Sequence, residues 1–108
     1  MNRTGKVFFD GVLAGRVSED ERGYHFKYDE EYLRRESAMP VSLTLPLNPK
    51  EYTSKTMIPF FDGLIPEGWL LDIAHKNWKL DPRDRMGLLL ACCKDCIGAV
   101  SVVPEPEK

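Results

Sequence analysis

Near the amino terminus an Asp-Gly pair divides two apolar runs. Val7-Phe8-Phe9 precedes Asp10-Gly11, and Val12-Leu13-Ala14-Gly15-Arg16-Val17 follows it. A two-residue loop of type I′ needs φ > 0 at both central positions, and Asp-Gly is among the few pairs that tolerate this. The pattern predicts an antiparallel hairpin, which commits the first part of the chain to sheet. Ser18 to Gly23 is charged, ends in glycine and is expected to form a second turn. Tyr24-His25-Phe26-Lys27-Tyr28 then alternates strictly, with the three aromatics on one face and His25 and Lys27 on the other. That reads as a half-buried strand completing a meander, with His25 facing solvent.

The remainder is broken into short pieces. Asp29 is expected to cap a helix from Glu30 to about Glu36, whose acidic start and Arg34-Arg35 end suit the helix dipole. Val41-Ser42-Leu43-Thr44-Leu45 alternates and reads as a strand stopped by Pro46. Lys55 to about Asp62 has helical character, with Gly63 after it; Pro59 lies either in its first turn or at an irregularity. Pro66 begins a helix running to about Lys79, and Asp81-Pro82 opens a third as N-cap and first residue, extending towards Cys92 or Cys93. Ala99 to Val103 reads as a last strand ended by Pro104, with 104–108 as a flexible tail. The predicted fold is α+β: a small antiparallel sheet, from an N-terminal meander plus a C-terminal strand, packed with three to four short helices.

Composition narrows the function. A length of 108 residues, with 43% hydrophobic and 30% charged, suits one folded domain over 1–108. The net charge of −2 argues against direct nucleic-acid binding, and no apolar run approaches the ~20 residues of a membrane span. Cys92, Cys93 and Cys96 are an odd, clustered set, unlike a secreted disulfide framework, so a cytoplasmic protein is expected. Cys93 and Cys96 make a single C-x-x-C after a helix rather than at its start, where the dipole would activate a thiol. With no second pair, this is a poor zinc or redox site, and Cys92 and Cys93 read as small core residues. His25 and His75 have no nucleophile at a diagnostic spacing, and no phosphate-binding glycine loop is present. The expectation is no enzyme, no metal and no cofactor.

One residue stands out. On the helix after Pro66, Leu70, Leu71, Ile73, Ala74 and Trp78 share one arc, whereas Trp69 points roughly 130° away from its centre. A tryptophan off the apolar stripe, beside Pro66 and Gly68, either folds back onto Phe60-Phe61 or the Leu64-Ile65 loop, or serves as an exposed interface anchor.

Three stretches together resemble the N-terminal subdomain of HipA-type kinases. Val41-Ser42-Leu43-Thr44-Leu45-Pro46-Leu47 is similar to that family's P-L-S-L-S-L-P-L segment. Phe60-Phe61-Asp62-Gly63-Leu64-Ile65-Pro66-Glu67-Gly68 resembles its F-F-x-N/G-L-L-P-E/D-G segment, and Asp95-Cys96-Ile97-Gly98-Ala99-Val100 its D-x-x-G-A-V closure. In that family the ATP-phosphate loop, the catalytic Asp and the metal-binding Asp lie beyond this subdomain. The resemblance therefore implies a chain without the parts that phosphoryl transfer requires.

It further implies the split form of the family, a HipS-like antitoxin acting beside a HipT-like kinase toxin and a HipB-like DNA-binding protein in a ternary complex. The expected role is to bind and neutralise the kinase through Ile65, Pro66, Glu67, Gly68 and Trp69. Trp69 would fill an apolar notch near the active cleft and Glu67 would pair with a basic group. Three alternatives stay open: a scaffold or activating subunit completing the kinase fold, an excised N-terminal fragment of a full-length kinase, and a thiol or metal protein built on Cys93 and Cys96.

Overall fold

The hairpin forms at the predicted place. The computed structural model describes residues 3–65, 83–93 and 99–105. Strands β1 (Arg3–Phe9) and β2 (Val12–Asp20) meet at Phe9 and Val12. Between them Asp10 and Gly11 take φ of 50° and 80°, both in the left-handed region that the two-residue loop demands. The ladder slips by one residue between Val7 and Phe8, leaving Ala14 without a cross-strand partner. This bulge frees the Ala14 carbonyl to accept the Asp29 N–H at 2.8 Å, which fixes the chain as it leaves the meander.

β2 continues further than the charged sequence suggested. Ser18, Glu19 and Asp20 are paired strand residues, and the turn shrinks to Glu21-Arg22. β3 (Gly23–Tyr28) completes the meander, and α1 (Glu30–Arg34) follows. Asp29 occupies the N-cap position without making the cap bond; its carboxylate faces Arg16 at 3.6 Å instead. A short strand that the sequence did not announce, β4 (Tyr52–Ser54), pairs with β3 inside the segment 51–58. α2 (Pro59–Asp62) is shorter than the predicted 55–62 helix, and Pro59 sits in its first turn. α3 (Arg85–Cys92) is capped by Asp84, whose carboxylate accepts from the Gly87 N–H at 3.1 Å. The predicted cap at Asp81-Pro82, like the 66–79 helix with His75 and Trp78, lies outside the described residues.

β5 (Val100–Glu105) returns beside β1, giving the order β4-β3-β2-β1-β5 with every pairing antiparallel. Pro104 does not end this strand; it pairs with Gly5 within it. β5 is an edge strand, the place where a residue lacking an N–H is tolerated. The five-stranded sheet and the three described helices make the α+β fold expected.

One sheet face carries the core. Val7, Val17, Phe26, Tyr28 and Val102 pack against Phe61 of α2 and Met86, Leu88 and Leu89 of α3. Phe26 is the hub, with ring centroids 4.8 Å from Tyr28 and 5.3 Å from Phe61. Gly15 lets β2 lie close to β3, since a Cβ there would sit 2.4 Å from the Lys27 carbonyl oxygen.

The predicted strand at 41–45 does not form. Ser42 and Leu45 close a turn on themselves, with the Leu45 N–H donating to the Ser42 carbonyl at 3.0 Å. Val41 and Leu45 are buried while Leu43 points outward, 97% exposed. Leu43 thus faces away from Val41 and Leu45, and the alternation of the sequence is not kept as a strand would keep it.

Candidate functional site

The corner singled out by sequence is launched from α2. Phe61 anchors that turn of helix in the core, and backbone bonds Gly63 N–H to Pro59 O (3.0 Å) and Leu64 N–H to Phe61 O (3.1 Å) continue it. Ile65, 7% exposed, joins the core, so its side chain anchors the corner from inside. Pro66, Glu67, Gly68 and Trp69 lie outside the described residues.

Two contacts tie this launch point to α3. The Arg85 Nε donates to Asp62 Oδ1 at 2.6 Å, and the Cys93 thiol donates to the Leu64 carbonyl at 3.4 Å. A half-exposed ion pair contributes only about 0–1 kcal/mol, so Asp62–Arg85 acts mainly by fixing position. Cys93 is fully buried, as expected of a small core residue. Cys96 lies outside the described residues.

α3 is itself held from the start of β1. Arg3 reaches Asp84 with two guanidinium nitrogens, at 2.9 and 2.6 Å, and Glu19 with two, at 2.8 and 2.6 Å. Bidentate forks of this kind fix orientation as well as charge. The Arg3 hydrogen bond holds the Asp84 carboxyl below the usual aspartate range, and the Gly87 N–H adds to this. Arg3, Asp84, Arg85 and Asp62 thus link β1 through α3 to the 63–65 turn. No single sequence signal marked them, because Arg3 and Asp84 are 81 residues apart.

His25 is the clearest departure from expectation. It is not solvent-facing but 6% exposed. Its Nε2 lies 2.8 Å from Asp20 Oδ1, and its Nδ1 lies 3.1 Å from Thr53 Oγ1 and 3.2 Å from Glu51 Oε1. The residues flanking it on β2 and β4 cover the outer face of β3 at this point. Strand alternation correctly put His25 opposite Phe26, but it could not reveal what arrives from β4. The hydrogen bond to His25 holds the Asp20 carboxyl below its ordinary range. Among the described residues, no group of three or more His, Cys, Asp or Glu side chains is placed to hold a metal ion.

Comparison with known proteins supplies the family. The profile of the HipA N-terminal domain matches residues 5–103. A solved structure titled "N-terminal domain of HipA toxin" superposes with a TM-score of 0.76 at 33% identity, covering 98% of this chain and 95% of that one. An uncharacterized protein of Haemophilus influenzae is 35% identical over 105 residues, covering 97% of this chain and 95% of its own length. A Sinorhizobium fredii protein named "Putative kinase Y4mE" is 29% identical over 107 residues, but this chain spans only 26% of its length.

Proposed function

The chain belongs to the HipA N-terminal domain family, and from that membership we propose that it binds and neutralises a HipA-like Ser/Thr kinase of the HipT type. The matched region is the N-terminal subdomain of the family, which is not its catalytic part. One observation carries the reading. The same domain accounts for nearly all of the Haemophilus influenzae relative, yet for only about a quarter of the kinase-named one. A module found both alone and joined to a longer chain can engage in trans the surface that its fused counterpart engages in cis.

In this reading Ile65 and the Asp62–Arg85 link hold the base of the corner, and Pro66 and Gly68 shape it. Glu67 pairs with a basic group, and Trp69 fills an apolar notch at or beside the kinase's active cleft. A HipB-like DNA-binding protein is the third member of the assembly. The protein acts in the cytoplasm and performs no catalysis of its own.

The test is autophosphorylation of a HipT-type kinase from the same source, with and without the protein at matched concentration. Suppression that Trp69→Ala relieves supports a neutralising partner, since losing a central aromatic anchor costs ~2–4 kcal/mol of binding. Unchanged affinity for Trp69→Ala removes the anchor. The fusion in the Sinorhizobium fredii relative favours a second reading, a scaffold that completes the kinase, and enhanced phosphorylation would select it.

A further inference from the structure

We infer that the loop of residues 37–49 is a second docking element, in which Leu43 inserts into an uncharged apolar pocket on the kinase-type partner. The partner's identity rests on the function proposed above; the loop's character as a docking surface does not.

Single exposed apolar side chains are ordinary, but their concentration in one place is not. All the exposed large hydrophobic residues among the described residues fall in this loop: Met39 at 56%, Leu43 at 97% and Leu47 at 37%. The same thirteen residues contain no Asp, Glu, Lys or Arg, in a chain that is 30% charged. Depletion of charge is the compositional mark of an interface core.

The loop is also held in shape. The Tyr32 hydroxyl donates to the Met39 carbonyl at 2.6 Å and accepts the Met39 N–H at 3.2 Å. The Tyr28 hydroxyl accepts the Val41 N–H at 3.0 Å and donates to the Leu45 carbonyl. The Tyr52 hydroxyl donates to the Pro46 carbonyl at 2.5 Å. At the tip, the Ser42 hydroxyl accepts the Thr44 N–H at 3.2 Å and bonds the Thr44 hydroxyl at 2.9 Å, closing the turn that presents Leu43. Three phenols thus hold outward a leucine that gains nothing from the fold. Such preorganisation lowers the ordering cost of binding.

Charge complementarity selects the occupant. Any charge pressed against Leu43 would lose its water without gaining a partner, so the opposing surface must be uncharged and apolar. A nucleic-acid backbone calls for cations, and a lipid interface favours Lys, Arg and aromatic residues within the inserted segment; 37–49 has none of these. A second copy could meet Leu43 only with its own 37–49 patch, and light scattering reads that pairing directly. Two clefts among the described residues are lined by charged side chains, Arg16, Lys27 and Glu30 in one and Asp20, Arg22 and Glu51 in the other, and would not take Leu43.

The experiment is calorimetric titration of the full-length protein, as wild type, Leu43→Asp and Leu43→Ser, into the HipT-type kinase of the same source. Light scattering and thermal melts of each variant accompany it. The expected result is a ten- to hundredfold loss of affinity for Leu43→Asp, a smaller loss for Leu43→Ser, and melting temperatures like wild type, since Leu43 makes no part of the core. Wild-type binding with undiminished affinity in both variants overturns the docking loop and leaves the proposed function standing. Failure of the wild type to bind overturns both. A dimer that Leu43→Asp dissociates while kinase affinity stays constant assigns the loop to a second copy instead, and Leu43-dependent sedimentation with anionic lipid vesicles assigns it to a membrane.

Discussion

Gly15 shows how much one missing Cβ can carry. The position lies where β2 crosses β3, and the atoms an added methyl would meet are the Lys27 carbonyl and the Tyr28 Cα, 2.4 and 3.0 Å away. Backbone in a paired strand cannot step aside as a flexible side chain can. Gly15→Ala is therefore expected to destabilise by ~1–3 kcal/mol, towards the upper end, read as a lower urea midpoint at unchanged slope. Asp84 makes a different prediction at the same scale. Its carboxyl is held low in the folded state by Arg3, so its contribution to stability is complete above the ordinary aspartate value of about 3.9. It is lost as the pH falls through the lower folded value. Asp84→Asn should lower stability at neutral pH and flatten the decline below pH ~4, measured by denaturation across pH 2–7. At these residues the sequence was partly legible. The Asp10-Gly11 turn was readable because its chemistry is local, whereas the burial of His25 was not, because Thr53 of β4 and Glu51 just before that strand arrive from more than twenty residues away.

At the scale of elements, the 37–49 loop depends on hydroxyls that belong to other elements. Tyr28→Phe keeps the ring packed against Phe26 and removes only the atom that serves the Val41 N–H and the Leu45 carbonyl. Leaving such groups unpaired in a buried place costs ~1–3 kcal/mol. The expected signature is faster hydrogen exchange at the Val41 amide, with the β1–β2 amides as protected as in wild type. Uniform loss of protection would instead mean that the hydroxyl supports the whole core. The same loop explains why the element at 41–45 was misread. Val-Ser-Leu-Thr-Leu carries the period of a strand, but the Tyr28 hydroxyl holds both the Val41 N–H and the Leu45 carbonyl, and the Leu45 N–H bonds the Ser42 carbonyl, which bends the segment into a turn. The cap of α3 likewise depends on a distant element, since Asp84 is held in place by Arg3 from the first strand.

Across the whole molecule, the sheet is closed by its last strand. β5 covers the β1 edge with Val100 and Val102 buried, and Glu105 reaches Arg16 at 3.1 Å. Removing residues 99–108 should leave β1 as an open edge over an incomplete core, and circular dichroism is expected to report loss of cooperative thermal unfolding. A retained sharp transition would show that the meander and helices suffice alone. Cys93, buried between α3 and the 63–65 turn, should resist alkylation in the native protein and react once urea exposes it, as mass spectrometry of the labelled peptide would record. Membership of the HipA N-terminal domain family belongs to this scale as well. It was readable from three separated motifs in the correct order, and the match over residues 5–103 bears it out.

Local chemistry therefore determined the hairpin, the meander and the α+β class, because turn dipeptides and alternation act through neighbours in the chain, while the resemblance of three ordered motifs pointed to the family. Tertiary structure alone decided that His25 is buried, that Pro104 lies within an edge strand, that Val41–Leu45 is a pinned turn, and that Arg3 positions a helix 81 residues away. Each of these depends on which distant group fills the space beside a residue, and that is set only when the whole chain has packed.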